Sequence, residues 1–215
     1  MATAAMSRPA PSSLPRVNEI GLEQPWEWIS KGWEDLKRAP RFSLAYGAAL
    51  ALVSVLITLG LLWEGLFFIV PPLAAGFFLV APLLGIGLYQ ISENLEEGKE
   101  VQFCQALQAW RRNEVQLSAM AVVLVLVMLA WMLSALVVFA LFFHNPVPTW
   151  ENFVPRVFLS GENHLFVAMG ILVGGLIAAF TYCISAVTVP MLMDRPVDVV
   201  TAMRTSIEAV RRNWA

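Results

Sequence analysis

Residues 115–143 read VQLSAMAVVLVLVMLAWMLSALVVFALFF, a run without a single Asp, Glu, Lys or Arg. Crossing the hydrocarbon of a bilayer as a helix takes ~20 apolar residues, so this run is long enough with room for tilt. In lipid each backbone polar group must be satisfied inside its own segment, which makes the helix the economical solution for an isolated run. Three further uncharged runs follow the same rule, at 42–63, 66–89 and 165–190. The four together predict an all-α integral membrane protein built from transmembrane helical hairpins.

The composition agrees. Hydrophobic residues make up 58% of the chain and charged residues 14%, where soluble domains carry roughly 25% charged. The net charge of −2 lacks the basic excess of a nucleic-acid binder. The first forty residues hold no apolar h-region of a cleavable signal, so the spans themselves direct insertion. Cys104 and Cys183 fall in a polar segment and a span respectively, an arrangement that predicts no disulfide between them.

Thirteen of the 14 Lys and Arg lie in residues 1–41, 90–114 and 191–215, and only Arg156 lies between the third and fourth spans. The weight falls on Lys37, Arg38, Arg41, Arg111 and Arg112, which flank span ends, where the positive-inside rule acts most strongly. The rule places both termini and the 90–114 loop in the cytoplasm. Residues 1–23 then read as a disordered cytoplasmic segment and 24–215 as a single helical membrane domain. Glu64 and Gly65 join the first two spans in a tight hairpin, with Trp63 at the interface. Pro82 predicts a kink in the second span. Trp150 and Phe153, in the outer loop, are placed to meet headgroups.

Each cytoplasmic segment ends in a basic pair: Lys37-Arg38, Arg111-Arg112 and Arg211-Arg212. Counting back 1, 4, 8 and 11 residues from the first base gives Leu36, Trp33, Ile29 and Trp26; Trp110, Leu107, Phe103 and Glu100; Val210, Ile207, Met203 and Val200. Only Glu100 breaks an apolar stripe at helical spacing. Interfacial amphipathic helices are therefore predicted at 24–38, 99–112 and 196–213. Trp26, Trp28, Trp33 and Trp110 act as anchors and the six bases contact anionic lipid. The repeat unit is one such helix followed by a hairpin. The third helix begins a unit whose hairpin is missing, so four spans here predict six in a longer natural protein.

Three stretches, PWEWISKGWEDLKRAPRFSLAYG (25–47), APLLGIGLYQISENLEEGKEV (81–101) and SAVTVPMLMDRPVDVVTAMRTSIEAVRRN (185–213), resemble the bacterial predicted integral membrane proteins grouped as domain of unknown function 2189. The resemblance runs from about residue 20 onward, and residues 190–203 are its most specific part. It implies about six spans and a bacterial inner (cytoplasmic) membrane. It implies no catalytic motif.

Few residues invite chemistry. His144 and His164 bracket the outer loop, and their spacing fits polar markers of span ends better than metal ligands. Asp194, Arg195 and Asp198 read as punctuation, with Pro190 ending the fourth span and Pro196 opening the next helix. Ser92–Glu100 reads as a solvated acidic loop. Gly170, Gly174, Gly175 and Ala178 put a small-residue face on the fourth span, suited to close helix packing within the chain or against a partner; Gly85 and Gly87 offer the same in the second. Thr181, Tyr182, Ser185 and Thr188 give the fourth span a mildly polar side. No phosphate loop, zinc motif or nucleophile elbow is present.

These features predict no catalytic residue, no cofactor and no metal. The function they favour is non-enzymatic: a structural, assembly or accessory subunit packed in the lipid bilayer against other integral membrane proteins, a respiratory complex among the candidates. The alternative is a small transporter or channel built from repeated hairpins. A membrane enzyme acting on lipid at the cytoplasmic face, using Asp194, Asp198 or the 92–100 carboxylates, ranks below both.

Overall fold

The computed structural model describes residues 15–144, 150–159 and 161–214. Among the described residues there is no strand, and four helical stretches are long and apolar enough to cross a membrane. The first helix, α1 (Gln24–Arg38), carries Pro25 in its opening turn and Lys37 and Arg38 in its last, where they complement the helix dipole. Ala39 breaks the helix, and Pro40 opens α2 (Pro40–Trp63), which therefore starts two residues before the apolar run and includes Arg41.

A turn with Gly65 at φ 73° and a single 3-10 turn at Phe67–Ile69 reverse the chain. The second stretch is interrupted. Helix α3 (Val70–Leu84) contains Pro82 and ends at Gly85, and α4 (Ile86–Glu96) continues from there. The predicted kink is thus a break three residues past the proline. The span at 66–89 is extended to Glu96, so Ser92–Glu96 are helical and not part of an acidic loop. Gly98, at φ 66°, ends that helix.

The interfacial helix predicted at 99–112 is shorter. Residues 99–102 are irregular, α5 (Phe103–Gln108) begins after them, and a 3-10 turn (Ala109–Asn113) leads directly into the long α6 (Glu114–Phe142). The connection to the fourth stretch includes a 3-10 turn (Trp150–Asn152) and one π turn (Pro155–Leu159). Residues 145–149, the side chain of Trp150 and residues 1–14 of the segment predicted to be disordered lie outside the described residues.

The fourth span is α7 (His164–Ser185), a break at 186–187, and α8 (Thr188–Asp194). Pro190 does not end the span. It sits at the third position of α8, where a backbone N–H has no helical acceptor and a proline costs little. Pro196 does not open the last helix either: α9 (Val199–Arg212) is started by Asp198, whose carboxylate accepts the Thr201 N–H at 2.9 Å.

Packing is uneven. Helix α6 lies between α3 and α7, and α9 packs on α7 and α8. The main buried cluster sits at the end bearing α1 and α9. There Ile86, Ala109, Leu117, Met120, Leu124 and Ala202 surround Val189, Leu192 and Met193 of α8. Five of the seven α8 residues are buried. By contrast α2 buries no residue, and its main contacts are with α1, α4 and the 67–69 turn.

Candidate functional site

Two features stand out, at opposite ends of the helices. The first is a polar clasp around α8. Asn113 Nδ2 donates to the Leu192 carbonyl at 3.1 Å, Gln116 Oε1 accepts the Val199 N–H at 2.8 Å, and Ser206 Oγ accepts the Val187 N–H at 3.2 Å. Each bond satisfies backbone freed by the breaks at 186–187 and 195–198, which buried unpaired would cost about 1–3 kcal/mol apiece. Beside it, Glu93 of α4 pairs with Arg112, and Asn94, itself buried, donates to Gln105 at 2.9 Å. These bonds tie α4, α5 and the α8–α9 elbow into one collar. Sequence reading missed Asn113, Gln116 and Ser206, because a lone amide or hydroxyl on a helix has no signature until its acceptor or donor is brought to it by the fold.

Asp194 and Arg195 pair with each other at 3.2 Å and are exposed. Asp198 also accepts from the Thr201 hydroxyl at 2.6 Å, and the Thr201 bonds hold its carboxyl below the usual range. Arg212 donates to Glu208 at 2.6 Å and lowers that carboxyl likewise. His164 Nδ1 lies 2.9 Å from the Gly161 carbonyl at the start of α7. Among the described residues no three His, Cys, Asp or Glu side chains converge.

The predicted anchors and bases fall as follows. Trp26, Trp28 and Trp33 are 71%, 54% and 58% exposed on α1, a helix with no buried residue. Trp110 instead packs against the buried cluster. Lys37, Arg38, Arg111, Arg112, Arg211 and Arg212 are all exposed. Lys37 Nζ stands 5.5 Å over the Trp33 ring, and Arg112 and Arg212 are engaged in ion pairs.

The second feature is an apolar cavity of about 320 Å³ near the far ends of α3, α6 and α7, covered in part by Phe153, Val157 and Phe158 of the connecting segment. Trp131 is part of its lining. The indole donates to the Pro72 carbonyl at 2.7 Å and lies against Gly174, where an added Cβ would stand 3.1 Å from the ring. Of the four small residues on α7, only Gly174 is in such contact. Nothing lies within 4 Å of a Cβ at Gly170 or Gly175, and Ala178 is exposed. The close approaches that join other helices use Gly76, against Met128 and Trp131, and Gly87, against Tyr46.

The mildly polar side of the fourth span is turned inward on itself. Thr181 donates to the Ile177 carbonyl, Ser185 to Thr181 and Thr188 to Ile184, at 2.7, 2.7 and 2.6 Å. All three are buried, while Tyr182 is exposed.

A family model described as predicted integral membrane protein (DUF2189) matches residues 69–194. Of the three stretches that carry the resemblance, 81–101 lies within the match, 185–213 only as far as Asp194, and 25–47 outside it. No curated protein and no solved structure matches the chain.

Proposed function

This chain belongs to the family of predicted integral membrane proteins (DUF2189), and on that premise we propose that it is a non-enzymatic subunit of a larger membrane assembly, with a structural, assembly or accessory role. It sits in a bacterial inner membrane with its N-terminus in the cytoplasm, and α1 lies in the interface with its tryptophans toward the acyl chains. The observation that carries the reading is α2. A 24-residue span that buries no residue against its own chain leaves most of its apolar surface for lipid or a neighbour. Among the described residues, only Tyr46, near its start, reaches the rest of the bundle with a side-chain hydrogen bond, to the Leu84 carbonyl at 2.8 Å.

The hydroxyls of Thr181, Ser185 and Thr188, each bonded back one turn, support a packed role over a polar transport path. The test places a photoreactive amino acid at Leu52 or Leu56 on α2 in native membranes, followed by gentle-detergent purification and mass spectrometry. A discrete protein adduct is expected. Lipid adducts alone, on a protein that purifies as a lone species, would defeat the proposal.

A further inference from the structure

The cavity between α3, α6 and α7 has no role in that proposal. Its walls are aromatic and mutually braced. Phe139 stacks on Phe143 with centroids 4.9 Å apart, and Phe166 meets both edge-on at 5.9 and 5.3 Å. Such paired rings resist collapse into the space they enclose. No charged side chain lines it among the described residues; its polar side chains are Ser134 and Trp131, whose N–H is already given to Pro72. At the rim stand Leu136, Phe158 and Ile171, exposed and apolar, so the opening faces the same medium as the spans around it.

The occupant follows by size and polarity. Water needs two to four polar partners in a buried site, and these walls do not offer them. An empty space of this kind forfeits the dispersion contacts of its lining. A flexible hydrocarbon chain restores those contacts, and the volume lies at the lower end of the range for ligand pockets, ~300–1,000 Å³.

We infer that this cavity is a binding site for a single hydrocarbon chain, the acyl tail of a phospholipid or the prenyl tail of an isoprenoid, held between Trp131 and the Phe139–Phe143–Phe166 rings. Gly170 makes the room: it lines the cavity, and a Cβ there meets nothing within 4 Å. Its missing side chain is part of the bound chain's space.

The test uses the full chain in nanodiscs of phosphatidylethanolamine and phosphatidylglycerol. One arm carries a phospholipid with a diazirine in its acyl chain, the other a diazirine-bearing prenyl alcohol. After illumination, labelled residues are mapped by mass spectrometry. In the wild type, label is expected to concentrate on cavity residues such as Trp131 and Phe166 over the exposed surface of α2. Labelling in one arm assigns the source, and in both it shows that shape alone selects. Gly170→Leu and Ala75→Leu, filling the space from opposite walls, are expected to cut cavity labelling at least about tenfold, the factor ~1.4 kcal/mol sets. Gly47→Leu, on α2 and equally free of neighbours, is expected to leave it unchanged. Label spread evenly over all exposed helices in the wild type would overturn the inference, whichever variants fold. So would cavity label undiminished in the filled variants.

Discussion

Adding one methyl group at Gly87 should weaken the attachment of α2, and the same methyl should strengthen the protein once Tyr46 is gone. A Cβ at Gly87 overlaps the edge of the Tyr46 ring, standing 2.7 Å from Cζ and 3.0 Å from the hydroxyl oxygen. The ring must swing aside, and its hydrogen bond to the Leu84 carbonyl goes with it. Losing that bond costs about 1 kcal/mol, and overpacking at a tight contact adds ~1–3 kcal/mol. Against this, Ala in place of Gly in a helix gains up to ~1 kcal/mol, less here because Gly87 is the second residue of α4. Gly87→Ala alone is therefore expected to destabilise by about 1–4 kcal/mol. In a Tyr46→Ala background the overlap is absent and only the helix gain remains, so the sign reverses. Reversible unfolding in mixed micelles, followed by tryptophan fluorescence for the wild type, both single variants and the double variant, measures the coupling. Additive effects, with Gly87→Ala destabilising by the same amount in both backgrounds, would refute the argument that this contact joins α2 to the bundle.

The location of the buried cluster gives a second expectation: Leu117→Ala and Leu192→Ala should each cost about 2–5 kcal/mol, while Leu52→Ala on α2 should cost under ~0.5 kcal/mol, in the same unfolding assay. The Glu93–Arg112 pair is about a third to two-fifths exposed on its two sides. Glu93→Gln should therefore lower stability by no more than ~1 kcal/mol, with the difference from wild type shrinking as salt is raised. For Asp198, the folded carboxyl is held below its unfolded value. Its contribution is thus present above the unfolded carboxylate pKa and lost as pH falls through the lowered folded value. Thermal scans from about pH 7 to about pH 3 should show a shallower acid decline for Asp198→Ala than for the wild type, with the two curves converging at the acid end.

Much of the architecture was legible because hydrocarbon is a severe solvent. A run such as 115–143 has one stable backbone arrangement in lipid, whatever surrounds it, and α6 occupies nearly those residues. Ends were less legible. Pro190 and Pro196 look like helix boundaries in sequence, yet the chain breaks at 186–187 and restarts at Val199, because the Ser206 and Gln116 side chains satisfy the backbone at those places. The G-x-x-x-G at Gly170 and Gly174 was visible, but not which glycine would meet a neighbour. Gly76 and Gly87 proved tight only because Trp131, Met128 and Tyr46 face them from other helices.

Local pattern by itself determined the number of spans, the class of solvent they need and the absence of charge within the apolar runs, since each depends on the transfer of a segment from water to lipid. Tertiary structure decided where the buried core sits, that α8 is its centre, and that α3, α6 and α7 enclose an aromatic-walled space. Those outcomes depend on side chains far apart in the chain meeting at fixed distances, which no single segment specifies.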